Sequence, residues 1–364
     1  MVDSLLDLTK ELIKIPSISS DIEQLHVIVD RVVEEFSGIE GARLEKMVNN
    51  DKPCLVVSNF DGKRADICLN GHMDVVPASE DGQFDPVEKD GKLYARGSID
   101  MKWAVAVIIH VMKDVLTAWS DKKISLILTC DEEVWWINGA KYLANEWYGA
   151  DVILTPDAAW LDKIIYAGKW VYTIWLSVPG KESHSAYPWK WQNAIENAYH
   201  LYQDLKDAIE ETVELAEEGH RWTSVQLTTI NAGKAHNAVP GEAEITINIR
   251  HTESYSEDLV KKLCSHVFRK YNAEILTEKY WSLVFTESNN PHLLAYKAVS
   301  DSITWWDLQF EKMHGATDAQ HFAEKGAISI LHGPNGEFLH SKGEYVEIDS
   351  LGVLYEVTKK FVLS

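Results

Sequence analysis

The sequence lacks the features that mark membrane-spanning, disulfide-rich and structural-zinc proteins. It has only four cysteines, and none of them stands in a CxxC pair (Cys54, Cys68, Cys130 and Cys264). Because three of them lie within apolar runs, we expect buried free thiols rather than disulfides or zinc ligands. The longest apolar stretch, Ala104 to Met112, is interrupted by His110 and is too short to cross a bilayer.

Basic residues are also outnumbered. The chain has 35 lysine and arginine residues against 56 aspartate and glutamate residues, so its formal net charge is -21. This balance argues against nucleic acid and anionic membranes as partners, although a basic site for a small substrate can lie inside an acidic protein. The amino terminus, Met-Val-Asp-Ser-Leu-Leu, has no basic segment followed by an apolar stretch, so no signal peptide is predicted. We therefore expect a cytoplasmic protein.

Short apolar runs predict strands that are buried on both faces of a sheet. They are rich in Ile, Val and Leu and show no polar alternation; they are Cys54–Val57, Asp66–Leu69, Ile124–Leu128, Val152–Leu154 and Ala327–Leu331. Apolar residues at helical spacing predict helices at 3–14, 22–36, Met101–Trp119 and Gly139–Trp147. Alternating strands and helices indicate an α/β domain with a mostly parallel sheet covered by helices.

The middle of the chain has a different pattern, with strands that alternate as in a sheet with one wet face. Its predicted elements follow each other as strand, helix, strand, strand, helix, strand, namely Val171–Val178, Ala194–Glu211, 223–231, Ile245–Ile249, Glu257–Tyr271 and Ala273–Trp281. This order is that of a ferredoxin-like α+β domain. We therefore predict a smaller domain at 171–285, inserted into a catalytic domain formed by 1–170 and 286–364.

Histidine or carboxylate side chains follow four of the predicted buried strands. The segments are Gly71-His72-Met73-Asp74, Asp131-Glu132-Glu133, Pro156-Asp157, and His332-Gly333-Pro334 followed by His340. A further acid, Asp100, immediately precedes a predicted helix. Each segment alone is more often a surface turn or a solvated loop. Because ligands bind beyond the carboxyl ends of strands in open α/β sheets, the set together predicts a metal site.

The residue types indicate the kind of metal. Imidazole and carboxylate without thiolate suit zinc, cobalt or manganese in a hydrolytic site. Two histidines and several acids are enough for two metals that share one carboxylate. His72 and Asp74 are two residues apart in an extended segment and point the same way, so Asp74 can accept the second ring N–H of His72.

Several segments together resemble the zinc-dependent deacylase and exopeptidase family. Its members include acetylornithine deacetylase, succinyl-diaminopimelate desuccinylase, aminoacylase and several dipeptidases and carboxypeptidases. The segments are Gly71-His72-Met73-Asp74-Val75-Val76-Pro77, Tyr94 to Lys102, Asp131-Glu132-Glu133, His184-Ser185-Ala186-Tyr187-Pro188, Asn237-Ala238-Val239-Pro240, Gly315-Ala316-Thr317-Asp318-Ala319, and Gly333-Pro334 through His340 to Glu344-Tyr345-Val346. They cover nearly the whole chain in the right order. The resemblance implies that the inserted domain is a lid or dimerisation domain of a homodimer.

The resemblance also implies a role for each matching residue. Asp100 would bridge two divalent metal ions, with zinc expected and cobalt or manganese as alternatives. His72 and Asp157 would complete one metal, while Glu133 and His340 would complete the other. Glu132 would be the general acid and base, and Asp74 would orient His72.

The inserted domain would supply the remaining functional residues. His184 would stabilise the oxyanion, since the family's matching histidine reaches the active site of the partner subunit. Asn237 and Arg250 match positions that hold polar groups of the substrate. For Arg250, an ordinary arginine at a strand end is an equally good interpretation.

The sequence departs from the family pattern at several tryptophans. Trp103, Trp135, Trp136 and Trp191 stand where the family commonly has glycine, and Trp305-Trp306 follow the same trend. Glycine permits positive φ and close backbone approach, which tryptophan does not. Either local backbone shifts accommodate these side chains, or the pocket is narrowed. Gln320 also replaces an arginine that often follows Thr-Asp-Ala.

Three functions remain open at this point. The leading hypothesis is a deacylase of the acetylornithine deacetylase and succinyl-diaminopimelate desuccinylase type that acts on a small N-acyl amino acid. The nearest alternative is a dipeptidase or carboxypeptidase with the same metals and base. The third is a non-catalytic relative with an obstructed site, which the presence of Glu132 and five candidate ligands argues against.

Overall fold

The chain divides into two compact units. The structure, a computed structural model, describes residues 1–134, 136–157, 160–212, 223–253, 255–282, 284–304, 307–315 and 317–364. Within these ranges the first unit comprises 1–167, 284–311 and 317–364, and the second comprises 168–283 and 312–316. The expected boundaries were 170/171 and 285/286, and the short return of 312–316 to the second unit has no counterpart in the sequence pattern.

The described helices and strands are as follows. The helices are α1 Val2–Ile13, α2 Ile22–Glu35, α3 Lys102–Ala118, α4 Ala140–Asn145, α5 Ala194–Thr212, α6 Glu257–Lys270, α7 Pro291–Thr304, α8 Ala319–Ala323 and α9 Asp349–Leu363. The strands are β1 Arg43–Asn49, β2 Lys52–Ser58, β3 Arg64–His72, β4 Val87–Lys89, β5 Lys92–Tyr94, β6 Ile124–Thr129, β7 Gly149–Thr155, β8 Lys163–Ala167, β9 Trp170–Pro179, β10 Ser183–His184, β11 Ser224–Ala232, β12 Ala238–Val239, β13 Glu242–His251, β14 Glu274–Trp281, β15 Gln309–Lys312, β16 Ile328–Leu331, β17 Gly336–Glu337 and β18 Tyr345–Glu347. Among the described helices, none is both long and apolar enough to span a membrane.

The first unit is built on an eight-stranded sheet with the order β1-β2-β6-β3-β7-β16-β8-β15. Its four central strands, β6, β3, β7 and β16, are parallel to one another, whereas β1, β2 and β8 pair antiparallel. All six residues of β6 are buried, as expected for a strand covered on both faces. Helix α3 packs against β3 and β6 and against α1 and α9. The predicted α/β fold class is confirmed.

The parallel centre of the sheet is the part that positions the candidate site. The predicted runs ending at Leu69, Leu128, Leu154 and Leu331 lie in β3, β6, β7 and β16, respectively. Because these four strands are parallel neighbours, their carboxyl ends lie side by side at one edge of the sheet. The segments that follow them are therefore brought together, as the sequence predicts.

The second unit contains a four-stranded antiparallel sheet with the order β11-β13-β9-β14. Its elements follow the chain order β9, α5, β11, β13, α6, β14, which is the ferredoxin-like topology predicted above. Helix α5 packs on β9, β11 and β13 and contacts α6. Its core includes Ile174, Leu176, Ile245 and Ile247. All four cysteines of the chain are buried and free, which confirms that prediction.

Candidate metal centre

Five side chains predicted as ligands converge beyond the central strands. His72 is the last residue of β3, Glu133 lies in the 3-10 turn after β6, and Asp157 follows β7 by two residues. Asp100 precedes α3, and His340 lies in the segment between β17 and β18. All five belong to the first unit.

The Asp100 carboxylate lies between two imidazoles. Its Oδ1 is 3.0 Å from Nε2 of His72, and its Oδ2 is 2.9 Å from Nε2 of His340. The carboxylate is largely buried, while the His340 ring is half exposed, at 51%. Each carboxylate oxygen therefore faces a different imidazole, which is the arrangement that a shared ligand requires.

Two groups of potential ligand atoms share Asp100. One group is His72, Asp100 and Asp157, and the other is Asp100, Glu133 and His340; within each, the atoms lie within 4.8 Å of one another. Asp157 Oδ1 is 3.9 Å from Nε2 of His72, and Glu133 Oε2 is 3.2 Å from Nε2 of His340. Imidazole nitrogen and carboxylate oxygen at such spacings fit zinc and related divalent ions. The chemistry of this donor set therefore fits two neighbouring metals.

The electrostatics of the cluster reflect crowded negative charge. Burial alone would lower the pKa of His72, but its hydrogen bonds to Asp100 and Asp74 raise that pKa well above its ordinary value. Asp100 and Glu133 raise the pKa of His340 to about 10. Burial and then the charge of Asp100 raise the pKa of Asp157. Without metal, the site therefore compensates its carboxylates with protons.

Glu132 lies in the same cluster but belongs to neither ligand group. Its Oε2 is 4.0 Å from Nε2 of His72, and only 12% of its side chain is exposed. Burial raises its pKa well above the ordinary value, with Asp157 and Asp318 adding to the effect against the opposing charge of His72. It is thus a largely buried carboxyl group beside the groups that could hold metal.

Asp74 fixes the segment that carries the two glutamates. The backbone N–H groups of Glu132 and Glu133 each donate to its carboxylate at 3.2 Å, and the Ser19 hydroxyl donates at 2.7 Å. His72 reaches two oxygen atoms of Asp74 through its second ring nitrogen. Nδ1 is 3.0 Å from the Asp74 backbone carbonyl and 3.5 Å from the carboxylate. The carbonyl is therefore the nearer of the two acceptors, and the carboxylate lies at the limit of hydrogen-bond distance.

A buried ion pair that the sequence reasoning did not assign supports both Asp100 and His340. Arg96 donates through Nη1 to the Glu344 carboxylate, and each side chain is at most 1% exposed. The other oxygen of Glu344 accepts the N–H of Ile99 at 3.3 Å, one residue before Asp100. Nη2 of Arg96 donates to the Ser79 hydroxyl at 3.0 Å, and that hydroxyl donates to the His340 carbonyl at 3.2 Å. The presence of Arg96 in the Tyr94–Lys102 segment and of Glu344 in the final one was the available signal.

Other polar residues near the strand ends have structural partners instead. The fully buried Asp318 accepts a hydrogen bond from the Thr129 hydroxyl at 2.6 Å. Asp131 accepts the N–H of Asn138 at 2.7 Å. His332 contacts the Tyr296 hydroxyl and the Leu161 carbonyl, each at 2.8 Å, so it does not join the ligand groups.

The three predicted residues of the inserted domain lie in the second unit. His184 is exposed, and its Nδ1 accepts the N–H of Ala186 at 3.1 Å, which leaves the ring proton on Nε2. Asn237 directly precedes β12, which pairs with the strand of His184. Arg250 lies in β13 and donates to Asn248 at 3.4 Å and to the His314 carbonyl at 3.3 Å.

The tryptophans singled out in the sequence lie in different environments. Trp103 is fully buried in α3, and its indole N–H has no hydrogen-bond partner in the described part of the chain. Trp136 follows the turn of the two glutamates and has a φ of 55°. Trp191 is partly buried after a 3-10 turn. Trp135 and Trp305-Trp306 lie outside the described residues.

Comparison with known proteins identifies relatives over the full length of the chain. The sequence is 25% identical over 371 residues to succinyl-diaminopimelate desuccinylase of a Nitratiruptor species, covering 99% of each chain. An M20 family metallo-carboxypeptidase from Sulfolobus solfataricus has the same fold, with a TM-score of 0.81 at 17% identity and coverage of 99% and 98%. A tripeptidase from Staphylococcus aureus subsp. aureus gives a TM-score of 0.80 at 20% identity, with coverage of 100% and 98%.

The family description confirms the resemblance drawn from the sequence segments. Peptidase family M20/M25/M40 matches residues 68–364. This range contains the carboxyl ends of all four central strands and every candidate ligand. By this match the chain belongs to peptidase family M20/M25/M40, and it is a metal-dependent hydrolase of carbon–nitrogen amide bonds.

Proposed function

We propose that the chain is a two-metal amidohydrolase that releases the acyl group from a small N-acyl amino acid. The observation that carries this proposal is the Asp100 carboxylate between the imidazoles of His72 and His340, at 3.0 and 2.9 Å. A carboxylate that offers one oxygen to each side suits two metals a few ångströms apart. His72 and Asp157 would hold one, and Glu133 and His340 the other. Zinc is expected, with cobalt or manganese as alternatives.

Glu132 is the proposed general acid and base. When bound, the metals would polarise the scissile carbonyl and make hydroxide available near neutral pH. Glu132 stands beside His72 without belonging to a ligand group, so its carboxylate is free to take a proton from the attacking water. It then returns the proton to the departing amine. The hydrogen bonds from its own N–H and that of Glu133 to Asp74 hold this turn in place.

His184, Asn237 and Arg250 are proposed to contact the substrate. Since Nδ1 of His184 accepts the Ala186 N–H, its Nε2–H is available to donate to the oxyanion of the tetrahedral intermediate. Asn237 and Arg250 would bind polar groups of the substrate, as the resemblance implies. We also propose a cytoplasmic homodimer, with the inserted domain, 171–285, as its lid or dimerisation domain.

The proposed substrate type rests on the relative that matches over the whole length. The desuccinylase from Nitratiruptor aligns with 99% of this chain, which supports deacylation of the succinyl-diaminopimelate or acetylornithine kind. A dipeptidase or carboxypeptidase would use the same ligands and the same base. Deacylase and peptidase therefore differ only in the substrate that the pocket accepts.

Amine release from a panel of substrates tests the proposal. Metal-stripped protein is assayed with and without Zn²⁺ or Co²⁺ on N-succinyl-diaminopimelate, N-acetylornithine, other N-acyl amino acids and dipeptides. Turnover that requires metal and is fastest on an N-acyl amino acid is expected; fastest turnover on dipeptides would replace the deacylase by the peptidase.

Neighbouring glutamates supply matched variants for the same assay. Glu132→Gln should lose turnover by about two to four orders of magnitude and still bind two metals. Glu133→Gln should lose metal as well. Equal loss of metal in both variants would contradict the role of Glu132, and failure of the parent protein to bind metal would refute the mechanism.

A further inference from the structure

Four tryptophans have a backbone conformation that favours glycine. The structure describes ten of the fourteen tryptophans, and φ is positive at Trp119 (51°), Trp136 (55°), Trp147 (69°) and Trp160 (103°). Positive φ is uncommon for residues other than glycine, and Asn and Asp tolerate it best. Four of the other six such residues are accordingly Asn50, Asp51, Asp90 and Asn272. Tryptophan has no polar side-chain atom that would compensate in the same way.

Trp147 occupies the glycine position of a helix-terminating Schellman motif. After α4 and its cap Glu146, the N–H of Tyr148 donates to the Leu143 carbonyl at 3.0 Å, and the N–H of Trp147 donates to the Ala144 carbonyl at 3.2 Å. This pair of hydrogen bonds requires a left-handed residue at the position of Trp147.

Two other helices of the protein end in the same motif, with residues that adopt a left-handed conformation more readily. After α8, Gly326 has a φ of 91°, and after α6, Asn272 has a φ of 50°. The N–H of Ala327 donates to Phe322 at 3.1 Å and that of Ala273 donates to Phe268 at 2.9 Å, which reproduces the bond at Tyr148. Of these three equivalent positions, one holds glycine, one asparagine and one tryptophan.

Trp119 and Trp160 also combine a tryptophan side chain with a positive φ, at other kinds of position. Trp119 is the C-cap of α3 and has a left-handed conformation, with φ 51° and ψ 49°. Glycine is the residue favoured for a left-handed conformation at a helix end. Trp160 has a φ of 103°, beyond the narrow left-handed region open to L-residues. These two residues are 67% and 47% exposed, and Trp147 is 76% exposed. Burial of the indoles therefore does not explain why tryptophan stands at these strained positions.

We propose that the cell that makes this protein inserts glycine at positions 119, 136, 147 and 160. The triplet UGA is a stop signal in the standard genetic code, but some codes read it as tryptophan and others as glycine. A gene whose glycines are partly encoded by UGA gives tryptophan at those positions when it is read with the tryptophan assignment. This accounts for tryptophan at four positions whose backbone conformation favours glycine, although the four lie in different parts of the fold. Trp103, Trp135 and Trp191 show the same departure in the sequence.

Peptide mass spectrometry of the protein isolated from the organism that makes it tests whether these positions hold glycine or tryptophan. The masses of the peptides that contain positions 119, 136, 147 and 160 distinguish glycine from tryptophan, because the residues differ by a whole indolylmethyl group. Glycine in these peptides is expected, together with UGA at the four codons. Tryptophan in them, encoded by UGG, would overturn the proposal. This readout does not depend on catalysis, so it is separate from any failure of the proposed function.

Recombinant variants test the backbone argument independently. Trp147→Gly should raise the Tm of the tryptophan-containing chain by roughly 1 to 3 °C, because it removes left-handed strain. Trp147→Ala is the matched control: it removes the indole but keeps Cβ, so it should give no comparable rise. An equal gain from alanine, or a fall with glycine, would contradict a glycine position.

Discussion

Removal of the Arg96 guanidinium should lower the free energy of unfolding far more than removal of a surface arginine. Arg96 and Glu344 are each at most 1% exposed, so Arg96→Met leaves a buried carboxylate without its cation. Breaking a buried pair on one side costs about 3–5 kcal/mol. The variant also loses the donor to Ser79, which in turn bonds the His340 carbonyl.

The loss of stability in Arg96→Met should increase with pH, because of the pKa of Glu344. Burial raises the pKa of Glu344 to about 7 even beside Arg96, and without Arg96 this pKa rises further. A raised folded-state pKa stabilises the fold at low pH, and that stability is lost as the pH rises through it. The difference in free energy of unfolding between Arg96→Met and the parent should therefore grow above about pH 7 and shrink below it.

Urea denaturation of the metal-stripped proteins between pH 6 and 9 measures this penalty. Arg64→Met is the matched control, because Arg64 pairs with Asp151 at 2.8 Å with both side chains more than half exposed, and such a pair contributes about 0–1 kcal/mol. The double variant Arg96→Met/Glu344→Leu should recover most of the stability. It should still bind metal more weakly, since the Ile99 N–H has lost the Glu344 carboxylate and the Ser79 hydroxyl has lost the Arg96 donor. A penalty no larger than that of Arg64→Met, or parental metal affinity in the double variant, would contradict a supporting role of the buried ion pair.

Three further predictions concern other parts of the site. His184→Ala should lower kcat by about 10²–10³ without changing metal stoichiometry; loss of bound metal, measured by elemental analysis, would exclude a role confined to the oxyanion. Thr129→Val should destabilise the fold by about 1–3 kcal/mol, because it removes the hydroxyl donor from the buried Asp318 carboxyl; an unchanged urea midpoint would contradict this. Chelation should lower the Tm, since metal at a thousandfold its Kd stabilises the folded state by about 4 kcal/mol; equal melting curves with and without chelator would argue against a preformed site.

The central strands, and with them the edge of the sheet at their carboxyl ends, were predictable from the sequence. A strand that is buried on both faces leaves an unbroken apolar run. Ile124–Leu128 and Val152–Leu154 lie within β6 and β7 for this reason. Short antiparallel strands such as β17 and β18 carry no such pattern, since two or three residues are too few to show a period. The sequence therefore predicts the central strands that carry His72 and Asp157 but not the small sheet that supports His340.

Residues whose importance depends on a distant partner were not predictable from local patterns. Arg96 and Glu344 are 248 residues apart, and neither has a spacing that indicates an ion pair. The contact between His72 and Asp74 shows a subtler limit, because two-residue spacing places the side chains on one face but does not decide between a carbonyl and a carboxylate. The structure places Nδ1 of His72 0.5 Å nearer to the carbonyl, at 3.0 Å against 3.5 Å for the carboxylate.

The charge of the cluster explains why an acidic protein needs metal at this edge of the sheet. Burial raises the pKa of Glu132, Glu133 and Asp157, so the carboxylates are stable as anions only beside compensating charge. The buried basic side chains that the structure describes in the first unit already have other partners: Arg96 binds Glu344, and Lys102 donates to the Leu12 and Ile15 carbonyls at 3.0 and 2.7 Å. The two imidazoles compensate only when protonated, a state in which they cannot bind metal. Divalent cations remove this conflict, because they neutralise the carboxylates and use the imidazoles as neutral ligands at the same time.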